Sequence, residues 1–420
     1  MRLSRRFIAL AALLVAALAL PPAITAKSAT VVRFATFNAS LNRNLAGQAL
    51  EHLSSPGNAQ ADAVAEIIQR IRPDVLLINE FDFYPNNALA DAFQKNYLGR
   101  AHNGAPAINY RFSFVAPSNT GITSGFDLNN NGVYDSTPGD GAYGDDSFGF
   151  GEFEGKFGMV VYSRYPIDYD AIRTFQHFLW KDMPGALLPD DSTTPEPNDW
   201  YSPAELDVFR LSSKSHWDVP IRIGRETVHF LVSHPTPPVF DGLEDRNGKR
   251  NHDEIRLWAD YITGGATASY IYDDAGSSGG LAAGEKFVIA GDQNSDPLDG
   301  DSIDGSIQQL LDHPLVNTEL TPSSAGGPYW ADVQDVLNDT HLSDPAFDTA
   351  DFCDTPAFPP CSGPGNLRAD YVLPRVGLAI EDAGVFWPTA SDPLVYLTGT
   401  GFPVPSSDHR AVWIDVSVPK

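Results

Sequence analysis

The stretch Lys286–Pro297, KFVIAGDQNSDP, joins an apolar run to a polar tip. FVIA has the composition of a buried strand, and it ends abruptly at Gly291. Asp292 and Asn294 then follow, two positions apart. A buried strand that delivers an acid and an amide at its end is typical of a rigid scaffold that presents a reactive group. The stretch therefore predicts a sheet whose edge carries a functional site.

A related pattern occurs near the start of the chain. VVRFATFNAS at 31–40 and DVLLINEFD at 74–82 have the composition of strands, and the amphipathic run 61–72 between them predicts a helix. The three form a βαβ unit, whose right-handed crossover puts both strand ends at one edge of a sheet. Asn38 and Glu80 lie at those two ends.

Further apolar runs predict that a single α/β domain occupies residues 27–420. Strands are expected at 157–164, 226–234, 286–291, 369–374 and 411–418, and a second helix at 251–263 with Asn251 as its N-cap. The stretches rich in Gly, Pro, Asp and Ser are interpreted as insertions in this domain, near residues 100–155, 181–215, 264–284 and 296–366.

The amino-terminal residues have the features of a cleaved secretory signal. MRLSRR is basic, FIALAALLVAALAL is an uncharged run of about 14 residues, and PPAITA ends in the small residue Ala26. A membrane span needs roughly 20 apolar residues, so a permanent anchor is disfavoured. Residues 1–26 are therefore predicted to be a signal peptide, and the mature chain is expected to be soluble and either secreted or periplasmic.

Charge and cysteine content limit the partners. The formal net charge is −26, and removal of the signal would make the chain three units more negative. Such a surface repels polyanions at long range, so duplex DNA is a disfavoured substrate, although a bound divalent metal could reverse the field locally. Cys353 and Cys361 are expected to form a disulfide in an oxidising compartment, with two free thiols as the alternative.

Polar residues end nearly every predicted strand. In chain order they are Asn38, Glu80, His234, Asp292 with Asn294, Asp370, and Asp408 with His409. Each of them alone could be an ordinary turn former or a solvated strand end. Together they favour a site assembled at one sheet edge, because strand tips are where a rigid scaffold presents its chemistry.

The same residues carry a resemblance to a known family. The motifs TFN (36–38), INE (78–80), SH (233–234), GDQN (291–294), RADYV (368–372) and SDHRAV (407–412) resemble, in this order, the endonuclease/exonuclease/phosphatase superfamily, the deoxyribonuclease-I-like fold. The resemblance covers most of 31–418. It implies an α/β four-layer sandwich of two packed mixed β-sheets flanked by helices, with long loop insertions and a divalent-metal phosphoesterase site at one sheet edge.

Phosphoester hydrolysis needs neutralised phosphate oxygens, a positioned water and help for the leaving oxygen. Glu80 and Asp408 offer hard oxygen ligands for Mg²⁺ or Mn²⁺, and Glu80 is the preferred metal ligand. The resemblance implies that Asp292 orients or deprotonates the attacking water. It also implies that His234 assists the leaving group, and a histidine satisfied by backbone in the turn SHPTPP is the alternative.

The other strand-end residues would complete the site. Asn38 and Asn294 would donate amide hydrogen bonds to ligand oxygens, and Asn38 could also reach a metal or its water. His409 would contact the phosphate or transfer a proton, and Asp370 would hold the tautomer and orientation of His409.

A second motif, FDLNNNGVYD at 126–135, resembles a calcium loop. Oxygens at alternate positions would come from Asp127, Asn129, Asn131, the Val133 carbonyl and Asp135. Pro138 stands where such a loop usually ends in an acid, and an ion-free turn rich in Asn and Gly is the alternative. A calcium ion here would have a structural role.

The expected substrate is a small phosphoester, a nucleotide or a phospholipid head group. Asp82 stands where nucleases of this fold often carry a basic residue, and the insertions are acidic, so no basic groove for nucleic acid is predicted. The preferred function is that of a secreted, divalent-metal-dependent phosphoesterase that cleaves phosphodiesters or phosphomonoesters by activated-water attack. An extracellular nuclease and a binding protein that keeps the fold without the reaction are the alternatives. We expect a monomer.

Overall fold

The computed structural model of the chain describes residues 29–334, 337–353 and 363–420. The predicted signal peptide and Cys361, the predicted partner of Cys353, lie outside these ranges, so both stay predictions. None of the helices in the described ranges is long and apolar enough to cross a membrane.

The described residues form thirteen β-strands and eight α-helices. The strands are β1 (Ala29–Asn38), β2 (Val75–Asn79), β3 (Phe112–Phe114), β4 (Met159–Ser163), β5 (Arg173–Thr174), β6 (His216–Ile223), β7 (Glu226–Ser233), β8 (Lys286–Asp292), β9 (Ala350–Asp351), β10 (Asn366–Leu367), β11 (Asp370–Pro374), β12 (Ala379–Val385) and β13 (Val412–Pro419). The helices are α1 (Gln48–Leu53), α2 (Ala59–Ile71), α3 (Ala88–Phe93), α4 (Gly141–Asp145), α5 (Pro203–Leu206), α6 (Arg246–Thr263), α7 (Gln308–Leu311) and α8 (Gly326–Gln334).

Two mixed sheets contain most of the strands. The first has the order β12, β13, β1, β2, β4, β3, and the second has the order β11, β8, β7, β6, β5. β1 is parallel to β2 and β7 is parallel to β8, while the other neighbours in these sheets are antiparallel. Because side chains alternate between the two faces of a sheet, each sheet needs apolar cover on both sides.

Three apolar clusters provide this cover. Phe34 of β1 and Val288 of β8 belong to the cluster between the two sheets. Phe37, on the other face of β1, packs in a cluster with α2 and α3. Ile289, on the other face of β8, packs in a cluster with α6. The resulting order of helices, sheet, sheet and helices confirms the predicted four-layer α/β sandwich.

The predicted βαβ unit consists of β1, α2 and β2. Asn58 is the N-cap of α2, and its side-chain oxygen accepts a hydrogen bond from the backbone N–H of Ala61 at 3.0 Å. β1 and β2 pair in parallel with Asn38 opposite Asn79. The two strands therefore end together at the same edge of the first sheet, as predicted.

Helix α6 begins at Arg246, so the predicted N-cap role of Asn251 is wrong. Asn251 is buried inside the helix, and its amide donates to the carbonyl oxygens of Thr236 and Gln293, both at 2.9 Å. Gly248 and the charged residues around it weaken the helical pattern of the first turn, which is why the prediction starts too late. Asn251 instead ties α6 to the loops that follow β7 and β8.

The prediction also omitted several strands, of which β6 matters most because it pairs with β7 along its whole length and lies inside the second sheet. Asp218 and Pro220 interrupt its apolar pattern, and a proline argues against a central strand. β5 pairs with β6 only at Trp217 and Asp218. Beyond β5, an isolated bridge between Ile167 and Ile221 continues along the same edge, and the Pro220 carbonyl accepts the Asp168 N–H there at 2.9 Å.

Segments predicted as insertions pack against the second sheet. Met183, Tyr201 and Phe209, all from the segment 181–215, lie in the same buried cluster as Trp258 of α6. Together with α6 they form the outer layer of the sandwich on this side. This layer supports the strand ends that carry His234 and Asp292.

Candidate active site

The two sheets bring the predicted strand-end residues together at one edge of the sandwich. Asp370 lies opposite Asp292 in the antiparallel pairing of β11 with β8. His409 comes just before β13, which is antiparallel to β1 and therefore starts where β1 ends. Asn38, the last residue of β1, links the sheets by donating its amide to Asp292 Oδ2 at 3.0 Å.

Asp292 lies at the centre of the site and is only 1% exposed. Its Oδ2 lies 3.3 Å from His234 Nε2 and 3.6 Å from His409 Nε2. Its Oδ1 accepts a hydrogen bond from the backbone N–H of Asn294 at 2.9 Å. Burial alone would raise the pKa of Asp292, but interactions with His409, His234 and Asn38 hold that pKa below its ordinary value. Asp292 is therefore ionised at neutral pH.

His409, Asp370 and Thr349 form a buried hydrogen-bonded chain. Asp370 Oδ2 lies 2.8 Å from His409 Nδ1 and accepts the Thr349 hydroxyl at 3.0 Å. Burial opposes the charge on His409, but Asp370 and Asp292 raise its pKa well above the ordinary value. Burial, against the attraction of His409, raises the pKa of Asp370 to about 6. The chain fixes the His409 ring with its second nitrogen towards Asp292.

His234 has the opposite electrostatic environment. Burial, followed by repulsion from Lys214, lowers the pKa of His234 to about 4, so its ring is neutral at pH 7. His234 Nδ1 is buried without a hydrogen-bond partner. This open nitrogen argues against the alternative of a histidine satisfied by backbone, because buried ring nitrogens are normally paired.

Lys214 belongs to the site but was not predicted. It lies in the segment 181–215, immediately before β6, and its Nζ donates to the Pro235 carbonyl at 3.3 Å. Burial lowers the pKa of Lys214 against the attraction of Glu254 and Asp292. Lys214 therefore interacts electrostatically with Asp292, although nothing in the local sequence distinguishes this lysine from others.

Glu80 and Asp408 form the more open side of the site, and both are half-buried. Glu80 Oε1 accepts the Asn38 amide at 3.1 Å, and Oε2 accepts the amide of Asn42, a residue that was not predicted, at 2.8 Å. Burial and then repulsion from Asp408 raise the pKa of Glu80. Carboxylates that repel one another in this way are stabilised by a cation between them.

The donor set on this side fits a divalent cation, because Mg²⁺ and Mn²⁺ prefer hard carboxylate oxygens. Asp292, Asp370 and His409 form a second acidic and imidazole group, with one ligand atom from each within 4.8 Å of the others. His409 Nδ1 is hydrogen-bonded to Asp370 and its Nε2 lies 3.6 Å from Asp292, so a hydrogen bond and an ion pair account for this second group. Glu80 and Asp408 are therefore the better place for an ion.

Asn294 also lies at the site edge, with its side chain partly engaged. Its amide donates to the Pro235 carbonyl at 3.1 Å. An amide nitrogen carries two hydrogens, so one remains for the predicted contact to a ligand oxygen.

The predicted calcium loop, 126–135, is a compact turn closed by its own hydrogen bonds. Asp127 accepts the backbone N–H of Asn131 at 3.1 Å. Asp146, which was not among the predicted ligands, is buried and accepts the backbone N–H of Asp135 at 2.7 Å. Calcium binding by this loop stays a prediction.

Asp82, which occupies a position where nucleases of this fold often carry a basic residue, is an internal residue of the structure, and the preference against duplex DNA stays a prediction. Its side chain is buried and accepts the backbone N–H groups of Arg43 at 3.0 Å and Phe157 at 3.2 Å. Burial raises the pKa of Asp82 to about 7. Asp82 braces the chain segments beside Glu80 and presents no charge to solvent.

Comparison with known proteins gives one family and several similar folds. The Endonuclease/Exonuclease/phosphatase family matches residues 35–409. No curated protein matches the sequence. An endonuclease/exonuclease/phosphatase from Beutenbergia cavernae DSM 12333 is 15% identical, with a TM-score of 0.46 and coverage of 92% of this chain and 72% of that chain.

Two further solved structures are similar. Sphingomyelinase C from Streptomyces griseocarneus is 15% identical, with a TM-score of 0.43 and coverage of 92% of this chain and 99% of that chain. The human Nocturnin catalytic domain is 13% identical, with a TM-score of 0.44 and coverage of 94% of this chain and 96% of that chain.

Proposed function

Because the chain belongs to the endonuclease/exonuclease/phosphatase family, we propose that it is a divalent-metal-dependent phosphoesterase that hydrolyses phosphodiester or phosphomonoester bonds of small substrates. The observation that carries this proposal is the ionised Asp292, which lies between His234 and His409 and is bonded across the sheets by Asn38. A carboxylate, two imidazoles and an amide that lie this close together can position a water molecule for attack on phosphorus and transfer protons during the reaction.

In this proposal Asp292 orients the attacking water. A carboxylate with a lowered pKa accepts a hydrogen bond from water, but it is a weak base for removing the proton. The preference for orientation over deprotonation therefore follows from the histidines around Asp292.

The two histidines have different roles in the proposal. His409, with its raised pKa, carries a positive charge and can donate a proton to the leaving oxygen or a hydrogen bond to the phosphate. His234 is neutral and cannot supply a proton readily at pH 7. This assignment gives leaving-group assistance to His409, whereas the family resemblance implied His234. Lys214 adds a second positive charge for the phosphate oxygens.

A divalent ion held by Glu80 and Asp408 would neutralise the phosphate oxygens and lower the pKa of a bound water. Asn38 and Asn42 each bond one Glu80 oxygen and so fix the direction of the carboxylate. Supporting groups of this kind orient the ligands of a metal site. We further propose that the chain is exported, on the basis of the signal-like residues 1–26, and mass analysis of the exported protein tests this cleavage.

The proposed function is tested by measuring hydrolysis of bis-p-nitrophenyl phosphate, p-nitrophenyl phosphate and plasmid DNA. The protein is first treated with EDTA, and Mg²⁺, Mn²⁺ or Ca²⁺ is then added. We expect turnover to disappear with EDTA and return with a divalent metal. Asp292→Asn and His409→Ala should each lower kcat by roughly 1,000-fold, because each removes a group that acts in the transition state.

Asp382→Asn, at an exposed acid of β12, is the matched control and should leave kcat unchanged. Circular dichroism of each variant checks that the fold is intact. Near-normal rates in Asp292→Asn or His409→Ala contradict the proposed roles. A clear preference for plasmid DNA selects the nuclease alternative, and no turnover with any metal selects a binding protein on this fold.

A further inference from the structure

Helix α6 bonds the loops of the catalytic edge through two polar side chains that are fully buried. Asn251 donates its amide to carbonyls of the loops that follow β7 and β8. Glu254, one turn later, accepts the backbone N–H of Ser213 at Oε1 and that of Thr236 at Oε2, both at 2.7 Å. Because each oxygen bonds a different segment, this single carboxylate joins the segment before β6 to the loop after β7.

Lys214 spans the same two segments. It follows Ser213 in the chain, and its Nζ donates to the carbonyl of Pro235, the residue before Thr236, at 3.3 Å. The separation of the two segments determines whether Nζ reaches this carbonyl. Glu254 fixes that separation, since it bonds the chain neighbours of both Lys214 and Pro235.

The charges of Glu254 and Lys214 support the same arrangement. Burial lowers the pKa of Lys214, and the attraction of Glu254 opposes this lowering most strongly. Burial also raises the pKa of Glu254, while Arg250, the two backbone N–H groups and Lys214 oppose that rise. A carboxylate in this place therefore holds the ammonium group both by geometry and by charge.

We propose that Glu254 is a positioning residue for Lys214, and that its carboxylate holds the two segments so that the ammonium group can meet the phosphate of the substrate. The inference rests on the proposed function, in which Lys214 supplies positive charge to the phosphate oxygens. Glu254 does not contact the substrate, because it is fully buried and both of its oxygens accept backbone N–H groups. It acts through Lys214, and a displacement of about 1 Å in such a group can cost about 100-fold in rate.

The variant Glu254→Gln tests this role. Glutamine has the shape of glutamate, but its amide nitrogen cannot accept a hydrogen bond. Either Ser213 or Thr236 then loses the acceptor of its N–H, and the separation of the two segments changes. We expect kcat for bis-p-nitrophenyl phosphate to fall by about 10- to 100-fold while KM changes by less than about threefold, because positioning acts mainly in the transition state.

Asp253→Asn is the matched control. Asp253 is the preceding residue of α6 and is equally buried, and its Oδ2 accepts the Trp180 indole N–H and the Leu187 backbone N–H, both at 2.7 Å. Neither partner belongs to the candidate active site. Asp253→Asn should therefore lower the urea midpoint about as much as Glu254→Gln does and leave kcat unchanged. An equal loss of kcat in the two variants would assign both effects to a weakened α6 and overturn the proposal.

A double-mutant cycle with Lys214→Met identifies the residue through which Glu254 acts. In the Lys214→Met chain the ammonium group is absent, so Glu254→Gln should change kcat by less than about threefold. The same factor in the wild-type and Lys214→Met chains would show that Glu254 acts independently of Lys214, and it would overturn the proposal.

Glu254→Asp provides the test if Glu254→Gln does not fold. It keeps the negative charge, but the shorter side chain cannot bond both segments, so kcat should again fall by at least about tenfold. A wild-type kcat in either folded variant overturns the positioning role alone. The proposed function is judged by the wild-type chain, and if that chain hydrolyses no substrate with any metal, both the function and the role of Glu254 are wrong.

Discussion

Glu80 and Asn294 show how the site shapes the backbone around it. Their φ values are 57° and 50°, in the left-handed region. A non-glycine residue adopts this region at a cost of about 1 to 3 kcal/mol, and asparagine tolerates it best. Hydrogen bonds from Asn38 and Asn42 to the Glu80 carboxylate, and from Asn294 to its neighbours, hold the strained residues in place. Strain of this kind concentrates at functional sites.

Replacement of Lys214 should lower the activity without lowering the stability of the fold. Lys214→Met removes a positive charge beside Asp292, so we expect kcat/KM for bis-p-nitrophenyl phosphate to fall by about 100-fold. Thermal stability should stay the same or rise, because a buried charge no longer has to be desolvated and Glu254 keeps Arg250 as a positive neighbour. Lys181→Met, at an exposed lysine, is the control. An unchanged kcat/KM would exclude Lys214 from the reaction.

The sequence predicts those site residues that follow a strand and leaves out those that reach the site through the tertiary fold. Asp292 and His409 could be identified because each lies in a polar motif beside an apolar run. Thr349 bonds Asp370 from 21 residues away, within a segment predicted as an insertion. Its contact depends on how β11 packs, which no local pattern encodes.

β7 and β8 lie so close together at Gly291 that only a residue without a side chain fits there. A Cβ on Gly291 would lie 2.0 Å from the Ser233 carbonyl oxygen, and φ here is 152°. We expect Gly291→Ala to destabilise the fold by about 2 kcal/mol or more and to abolish turnover, because the strands must separate and Asp292 moves with them. Urea unfolding and steady-state kinetics measure the two effects.

Gly141→Ala is the control for this substitution, since a Cβ at the first residue of α4 meets nothing within 4 Å. Its stability should match that of the wild type. If Gly291→Ala were equally stable and active, the close packing of β7 on β8 would be wrong.

Strands and helices were predictable where the apolar pattern is continuous, as in β1, β2 and β8. β6 was missed because Asp218 lies within it, although that carboxylate accepts the Tyr261 hydroxyl at 2.6 Å in the interior. The start of α6 was missed because Arg250 looks like a solvated residue, although three backbone carbonyls accept its hydrogen bonds. Internal hydrogen bonds thus permit polar residues where pattern alone predicts an exposed loop.

The stability of the whole molecule should depend on pH through the buried His216. Its ring bonds the Ser212 hydroxyl at 2.7 Å and the Glu254 carbonyl at 2.9 Å, and burial lowers its pKa to about 3. The unfolded chain binds a proton at His216 below its ordinary pKa of about 6.5, while the folded chain does not. Stability should therefore fall by up to about 1.4 kcal/mol per pH unit as the pH drops from 6.5 towards 3.

Urea unfolding of the wild type and of His216→Gln between pH 7 and pH 4 measures this dependence. The slopes of the unfolding free energy against pH should differ by at most about 1.4 kcal/mol per pH unit. The variant should be less stable at pH 7 and should lose stability less steeply in acid. An identical slope in both proteins would show that other groups govern acid unfolding.

The pairing of β1 with β13 determines when the proposed active site is complete. Thr30 lies opposite Val418, so the first and last strands of the sandwich are neighbours, and His409 immediately precedes the last one. Pairing these two strands closes a loop that contains nearly all of the chain between them. Closing so long a loop is slow, because its entropic cost comes before its contacts form. A chain still being synthesised carries Glu80 and Asp292 but lacks the imidazole that completes the site. If the chain has the proposed activity, hydrolysis starts only after β13 has been made and docked, and a nascent chain without this strand does not cleave phosphoesters.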